Sequence, residues 1–312
     1  MKVVCIGELL IDFICTDTNK QLHDGVHFIK KAGGAPANVA ATVSKLGGKA
    51  EFIGKVGNDP FGTFLKQVLT DANVGTKGLS FDAEHPTTLA FVSLTDDGER
   101  DFVFNRGADG ELTRTDVLIK TNQSEIYHFG SATALLPSVT RYTYISVMEE
   151  CSSKGEFVSF DPNYRSALWL NEDAFKAAVL PCLKWTHLLK ISEEELVLLG
   201  GNNDSSIGLE YLHGLGCPFI LVTLGKKGTL VSYNNLQKIV PSISIKSIDS
   251  TGAGDAFIGA ILYQLAKHKK VSFDHSELCQ MVTFANKVGA LTCTQMGAIS
   301  AIPTLEQLKE VK

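Results

Sequence analysis

Short apolar, β-branched runs recur along the chain, and longer stretches with helical spacing separate them. Val3–Ile6 precedes an Ala-rich stretch at 38–46, and the run at 52–56 precedes a helical pattern at 61–72. Strand-like runs follow at 126–128, 157–160, 187–191 and 219–224, with helical periodicity after them at 142–151 and 193–199. Strands alternating with helices predict an α/β protein, a multi-stranded α/β/α sandwich around a mainly parallel central sheet. With 312 residues, 44% of them hydrophobic, the chain can bury a large core as one big unit or two modest ones.

One region breaks the alternation. Residues 87–95 and 100–104 read as two short strands joined at Asp96-Asp97-Gly98, a hairpin signal that would put Leu89 and Phe91 on one face with Phe102 and Phe104. A second irregular piece, 13–31, leaves the first core strand and returns at a glycine pair. Two readings are open: ordinary surface hairpins, or a small sheet forming a lid beside the main domain. The lid reading assigns 1–12, 33–86 and 108–312 to the main domain and 13–32 and 87–107 to the lid.

The bulk numbers exclude several partners. Net charge is −5 with charges mixed along the chain, so nothing suggests nucleic acid or an anionic membrane. No apolar run approaches the roughly 18 residues of a membrane helix, and the amino terminus lacks a signal peptide's pattern. A cytoplasmic protein acting on a small molecule is expected. The seven scattered cysteines form no Cys-x-x-Cys and the eight histidines no metal spacing, which predicts reduced, mostly buried thiols and no zinc chemistry.

The strongest local signal is Asp249-Ser-Thr-Gly-Ala-Gly-Asp255, a glycine pair ahead of an apolar helix running to about residue 267. Glycines there let the amides of Gly252, Ala253 and Gly254 crowd an anion at the positive end of a helix. The segment fails the dinucleotide pattern at its last glycine, and no Gly-x4-Gly-Lys-Ser/Thr occurs, so Rossmann dehydrogenase and P-loop chemistry are set aside. Asp255 has two readings: a cap for its first helical turn, or a base placed where an acceptor hydroxyl meets a transferring phosphoryl group.

That run, together with Gly33-Gly34-Ala-Pro-Ala-Asn38, resembles the two signatures of the PfkB or ribokinase family of carbohydrate kinases. Gly7-Glu-Leu-Leu-Ile-Asp12, Thr223-Leu-Gly-Lys-Lys-Gly228 and Gly297-Ala-Ile299 agree as well and stand in the family's order, so the resemblance covers nearly the whole chain. It implies a ribokinase-like fold with a β-sheet lid over the sugar. Asp255 would take the acceptor proton, with Gly252, Ala253 and Gly254 as the anion hole for the γ-phosphoryl group of ATP. Asp12, Gly33, Gly34 and Asn38 would line the sugar wall, although Asn38 also reads as a helix cap and the glycines as a tight turn. Thr223, Gly225 and Gly228 would underlie the nucleotide, with Asn286 near the adenine.

One motif departs from the family. Its Asn-x-x-Glu, associated with magnesium and phosphate, appears as Ser192-Glu-Glu-Glu195, which leaves Ser192's role open and gives Glu195 an indirect part in holding Mg2+. Lys190 reads either as a phosphate contact or as a solvated or helix-flanking lysine. Asp249 and Thr251, with Gln295 and Gly297, match positions that hold K+ in family members.

Within the family, Phe160-Asp-Pro-Asn-Tyr-Arg165 looks like the fructokinases and 2-keto-3-deoxygluconate kinases, and the run from Phe104 through Arg106 to Asp109 resembles the fructokinase pattern, which favours the 6-hydroxyl of fructose as acceptor. A 2-keto-3-deoxygluconate kinase would use Arg106 and Arg165 as a carboxylate clamp instead, so both readings claim these arginines. Arg165's plainer role is an ion pair with Asp161. A non-catalytic sugar- or nucleotide-binding regulator is the third possibility, and an exposed apolar lid predicts a homodimer through the small sheets.

Overall fold

Strand β1 (Val3–Ile6) shows why the strand runs are apolar throughout: Val3 and Cys5 enter one core, Val4 and Ile6 another, and all four are buried. The chain then crosses into a small sheet through β2 (Leu10–Cys15) and β3 (Phe28–Gly33) and returns through helix α1 (Ala35–Lys45) and β4 (Ala50–Gly57). Helix α2 (Pro60–Asp71) and β5 (Gly75–Asp82) follow, then a second excursion, β6 (Leu89–Leu94) and β7 (Arg100–Asn105). Strands and helices then alternate through β8 (Ile126–Gly130), α3 (Val139–Ser153), β9 (Phe157–Asp161), α4 (Glu172–Val179) and β10 (Leu188–Ser192). Next come α5 (Glu193–Gly200), α6 (Ser205–Gly214), β11 (Phe219–Thr223) and the hairpin β12 (Thr229–Tyr233) and β13 (Leu236–Val240). Helices α7 (Ala253–His268), α8 (His275–Thr292) and α9 (Leu305–Glu310) complete the chain. This computed structural model describes all residues except 18, 95–99, 120–124, 235, 272 and 311–312, and only the backbone at 94, 100 and 101.

The nine-stranded sheet runs β13-β12-β11-β10-β9-β8-β1-β4-β5, with β12 antiparallel to both neighbours and every other pair parallel. Helices α1, α2, α7 and α8 cover one face, and α3, α4, α5 and α6 cover the other. Parallel strands deliver their carboxyl ends to one edge, the usual place for a ligand crevice in such sheets. Here Ile6, Gly130, Asp161 and Ser192 end their strands side by side. Five of the seven cysteines are buried, and none is disulfide-bonded. Among the described residues, no helix is long and apolar enough to cross a membrane.

The small sheet runs β3-β2-β6-β7, so the two excursions do pair, through parallel β2 and β6. It takes in Leu10 to Asp12 and Gly33, which the sequence assigned to the main domain, because Leu10 already pairs with Gly33. The register of β6 and β7 also differs from expectation. Leu89 and Phe91 face Asn105 and Val103, and Phe102 and Phe104 share the opposite face with Val92 and Ala90. A one-residue slip reverses every side chain, and the turn at 96–98 on which the expectation rested lies outside the described residues. Phe13 stacks on Phe91 at 5.1 Å and meets Phe61 of α2 edge-on at 5.8 Å, which seats the small sheet on the main domain.

Candidate active site

Helix α7 begins at the carboxyl edge of the large sheet. Its N-cap, Gly252, has φ 74°, and a side chain there would come within 2.6 Å of the Ala298 methyl, so the turn requires glycine twice over. No side chain caps this helix. Of the three amides expected in an anion hole, that of Ala253 donates to the Ser250 carbonyl at 3.2 Å.

Asp255 lies in the first turn of α7, half-buried, and its Oδ2 accepts Asn38 Nδ2 at 2.8 Å. It is not a cap. Burial is the main influence on its carboxyl, opposed by the Asn38 bond; Asp161 adds to the rise, Lys190 and Arg165 counter it, and the carboxyl ends at about 6. A carboxylate near 6 is ionised at neutral pH yet basic enough to receive a hydroxyl proton.

Asn38 is not a cap either. Its amide continues the α1 ladder to the Gly34 carbonyl at 3.1 Å, which frees the side chain to reach Asp255. The other end, Oδ1, is buried without a partner. Gly34, the N-cap of α1, has φ 114° and would place any side chain 2.4 Å from the Glu8 carbonyl. Asp12 Oδ2 lies 2.1 Å from where a Gly33 side chain would begin. Through Ala90, which pairs with both, Asp12 and Phe104 share a face of the small sheet. Burial raises the Asp12 carboxyl to about 6, and the Arg165 charge opposes this.

Lys190 lies opposite Asp255. Its ammonium is buried, pairs with Asp161 Oδ2 at 2.9 Å, and comes within 3.1 Å of where a side chain on Gly254 would begin. Burial alone would lower this lysine, but Asp161, Glu195 and Asp255 outweigh it and hold the ammonium charged above its usual value. The solvated-lysine reading therefore does not hold. Because Asp161 pairs with Lys190, Arg165 is left exposed, and its Nη1 donates to the Tyr164 carbonyl at 2.8 Å.

Several other expected residues have visible structural work. Ser192 caps α5: its Oγ accepts the Glu195 amide at 3.1 Å while Glu195 Oε2 accepts the Ser192 amide at 2.7 Å, a capping box. Glu195 Oε1 accepts the Tyr164 amide at 2.6 Å. Arg106 bonds the Thr133 carbonyl at 2.9 Å, Ser138 Oγ at 3.2 Å and Asp109 at 3.4 Å. Asn286 is buried, donating to the Val240 and Pro241 carbonyls and accepting from Thr229. Thr223 Oγ1 reaches the Ile191 carbonyl at 3.3 Å, and Gly225 and Gly228 flank the turn from β11 to β12. Asp249 gathers Thr251, at 2.6 Å from its hydroxyl and 2.9 Å from its amide, and the Gly297 amide at 2.8 Å; Gln295 is exposed nearby.

Two residues of this edge escaped the sequence reading. Asp161 entered only as a partner for Arg165. Glu8 is buried beneath the glycine pair and accepts the Ala35 amide at 3.2 Å, the Ala132 amide at 3.4 Å and the Ser131 hydroxyl. Burial outweighs those bonds and lifts its carboxyl to about 7. The available signal was a carboxylate at the end of a fully apolar strand, where burial without partners would be prohibitive.

The arrangement suits phosphoryl transfer: a helix N-terminus and a buried ammonium for an anion, a carboxylate beside them, and an unpartnered amide oxygen on the acceptor side. Comparison with known proteins agrees. The model of the pfkB family carbohydrate kinases matches residues 1–305. Fructokinase-1 of Zea mays is 39% identical over 308 residues, covering 97% of this chain and 94% of its own. A fructokinase double mutant from Vibrio cholerae O395, solved with fructose, ADP and potassium ion, superposes with a TM-score of 0.87 at 35% identity, covering 99% of this chain and 97% of that one. Aminoimidazole riboside kinase from Salmonella enterica, solved with aminoimidazole riboside and an ATP analog, gives 0.84 at 31% identity over 99% of each chain. With both family signatures meeting at the Asn38–Asp255 bond and the family pattern matched almost from end to end, the chain belongs to the pfkB family of carbohydrate kinases.

Proposed function

We propose that this carbohydrate kinase transfers the γ-phosphoryl group of ATP to the 6-hydroxyl of fructose, with Asp255 as general base. The carrying observation is the 2.8 Å bond from Asn38 to Asp255, which joins the sugar-side signature to the phosphate-side one. Asn38 Oδ1 and the Asp12 carboxylate hold acceptor hydroxyls, Asp255 receives the proton of the attacking one, and Lys190 with the first amides of α7 faces the charge developing on the phosphoryl group. ATP would supply that group, and Mg2+ bound with it would neutralise its charge. Among the described residues no three His, Cys, Asp or Glu converge on a metal site. Asp249 and Thr251, with Gln295 and Gly297, would hold K+.

Fructose is favoured over 2-keto-3-deoxygluconate because Arg106 is bound to Asp109 and its neighbours, which leaves Arg165 without the second half of a carboxylate clamp. The test is sugar-dependent ADP release with fructose, 2-keto-3-deoxygluconate and aminoimidazole riboside, each in potassium and in a bulky organic cation. Fructose in potassium should exceed the other acceptors by about a hundredfold or more in kcat/KM. Faster turnover of the acid overturns the choice of acceptor, and no ADP release with any sugar overturns the kinase.

The same mechanism fixes a pH dependence. Asp255 must be ionised to act, and its carboxyl titrates at about 6 in the free protein, so kcat/KM for fructose should fall at least about tenfold per unit below that pH. A kcat/KM flat down to pH 5 sinks the assignment.

A further inference from the structure

Helix α1 has no side-chain cap at Gly34, and Pro36 contributes no N–H to its first turn, so the Ala35 amide must find a partner outside the helix. Glu8 supplies it from just beyond β1. Its side chain is buried; Oε1 accepts the Ala35 amide at 3.2 Å and the Ala132 amide at 3.4 Å, while Oε2 accepts the Ser131 hydroxyl. The helix dipole also favours a negative charge at this end. The fit is close: a side chain on Gly7 would come within 2.9 Å of both Pro36 Cγ and Ser131 Cβ. Farther along α1, a side chain on Gly259 of α7 would come within 2.6 Å of Thr42 Cβ, so the two helices touch there. The axis of α1 is thus held at two places, by α7 at Thr42 and by Glu8 at its start. Asn38 lies between them, and its Nδ2 reaches Asp255 at 2.8 Å.

We propose that Glu8 is a positioning residue for the catalytic base. By accepting the Ala35 amide it fixes the first turn of α1, and with it the Asn38 side chain that holds Asp255. The assignment rests on the fructose kinase reading above, which fructose turnover by the wild type tests separately.

The experiment is a double-mutant cycle of wild type, E8A, N38A and the double variant, with E8Q and S131A beside it. Each is read by kcat/KM for fructose, KM for ATP and the urea midpoint. E8A should lower kcat/KM for fructose about ten- to thirtyfold and leave the ATP KM within about twofold of wild type. The double variant should fall no more than about twofold below N38A, because Glu8 acts through Asn38. E8Q keeps an oxygen for the Ala35 amide and should stay within about threefold of wild type. S131A removes a partner of Glu8 that does not belong to α1; it should lower the urea midpoint yet stay within about threefold in kcat/KM. Multiplying effects of E8A and N38A, E8Q as impaired as E8A, or losses in E8A and S131A that follow the urea midpoint alike overturn the proposal. If E8A does not fold, E8D, whose carboxylate is withdrawn by one methylene, completes the same cycle.

Discussion

Asp255→Asn is expected to lower kcat by about a thousandfold while leaving the fructose KM within about threefold of wild type. Asn is isosteric and can still accept the Asn38 Nδ2 bond, so the cleft keeps its shape and only the proton acceptor is lost. Stability should move the other way. The carboxyl titrates at about 6 in the fold against an ordinary 3.8, mainly because burial disfavours its charge. A raised carboxyl contributes stability that is full below about pH 4 and lost as pH rises through about 6. At pH 7 the ionised Asp255 therefore works against the fold, and the Asn variant should unfold at equal or higher urea than wild type. A variant that kept kcat within about tenfold of wild type would show that another group takes the proton. One that lost activity and stability together would show that Asp255 is structural.

The fold was legible where a single strand or helix carried its own signal. Runs such as 157–160 and 219–224 are apolar because both sheet faces are covered, and this holds before any tertiary contact is known. Asp255 was legible because its glycines and its helix adjoin it in sequence. What could not be read depends on pairing across the sheet. Lys190 and Asp161 are 29 positions apart and meet only because β9 and β10 lie side by side with Leu189 opposite Phe160. Arg106 and Asn286 looked free to bind ligands, but half of their partners are backbone carbonyls, which every residue type supplies and no sequence pattern marks. The β6–β7 register was missed for a related reason: alternation defines two faces but not which one meets the neighbouring strand.

Lys190→Met should destabilise the protein by about 3–5 kcal/mol in urea melts, because it removes one member of a buried ion pair. Lys190 and Asp161 are 7% and 1% exposed, so the Asp161 charge would be left without water or a cation. Asp161→Asn in the same chain should recover part of the loss, since a neutral amide at that position needs no counter-charge. Activity should not recover with it. Lys190 opposes the rise of the Asp255 carboxyl, so its loss alone moves the acid limb of kcat/KM to higher pH, and in both variants the anion site at Gly254 loses its neighbouring ammonium. If restoring stability in the double variant also restored kcat, Lys190 would be a structural lysine and the anion site would rest on the α7 amides alone. If stability returned while kcat stayed low, the ammonium that holds the Asp161 loop also serves the phosphoryl group, and a single residue ties the fold of this edge to its chemistry.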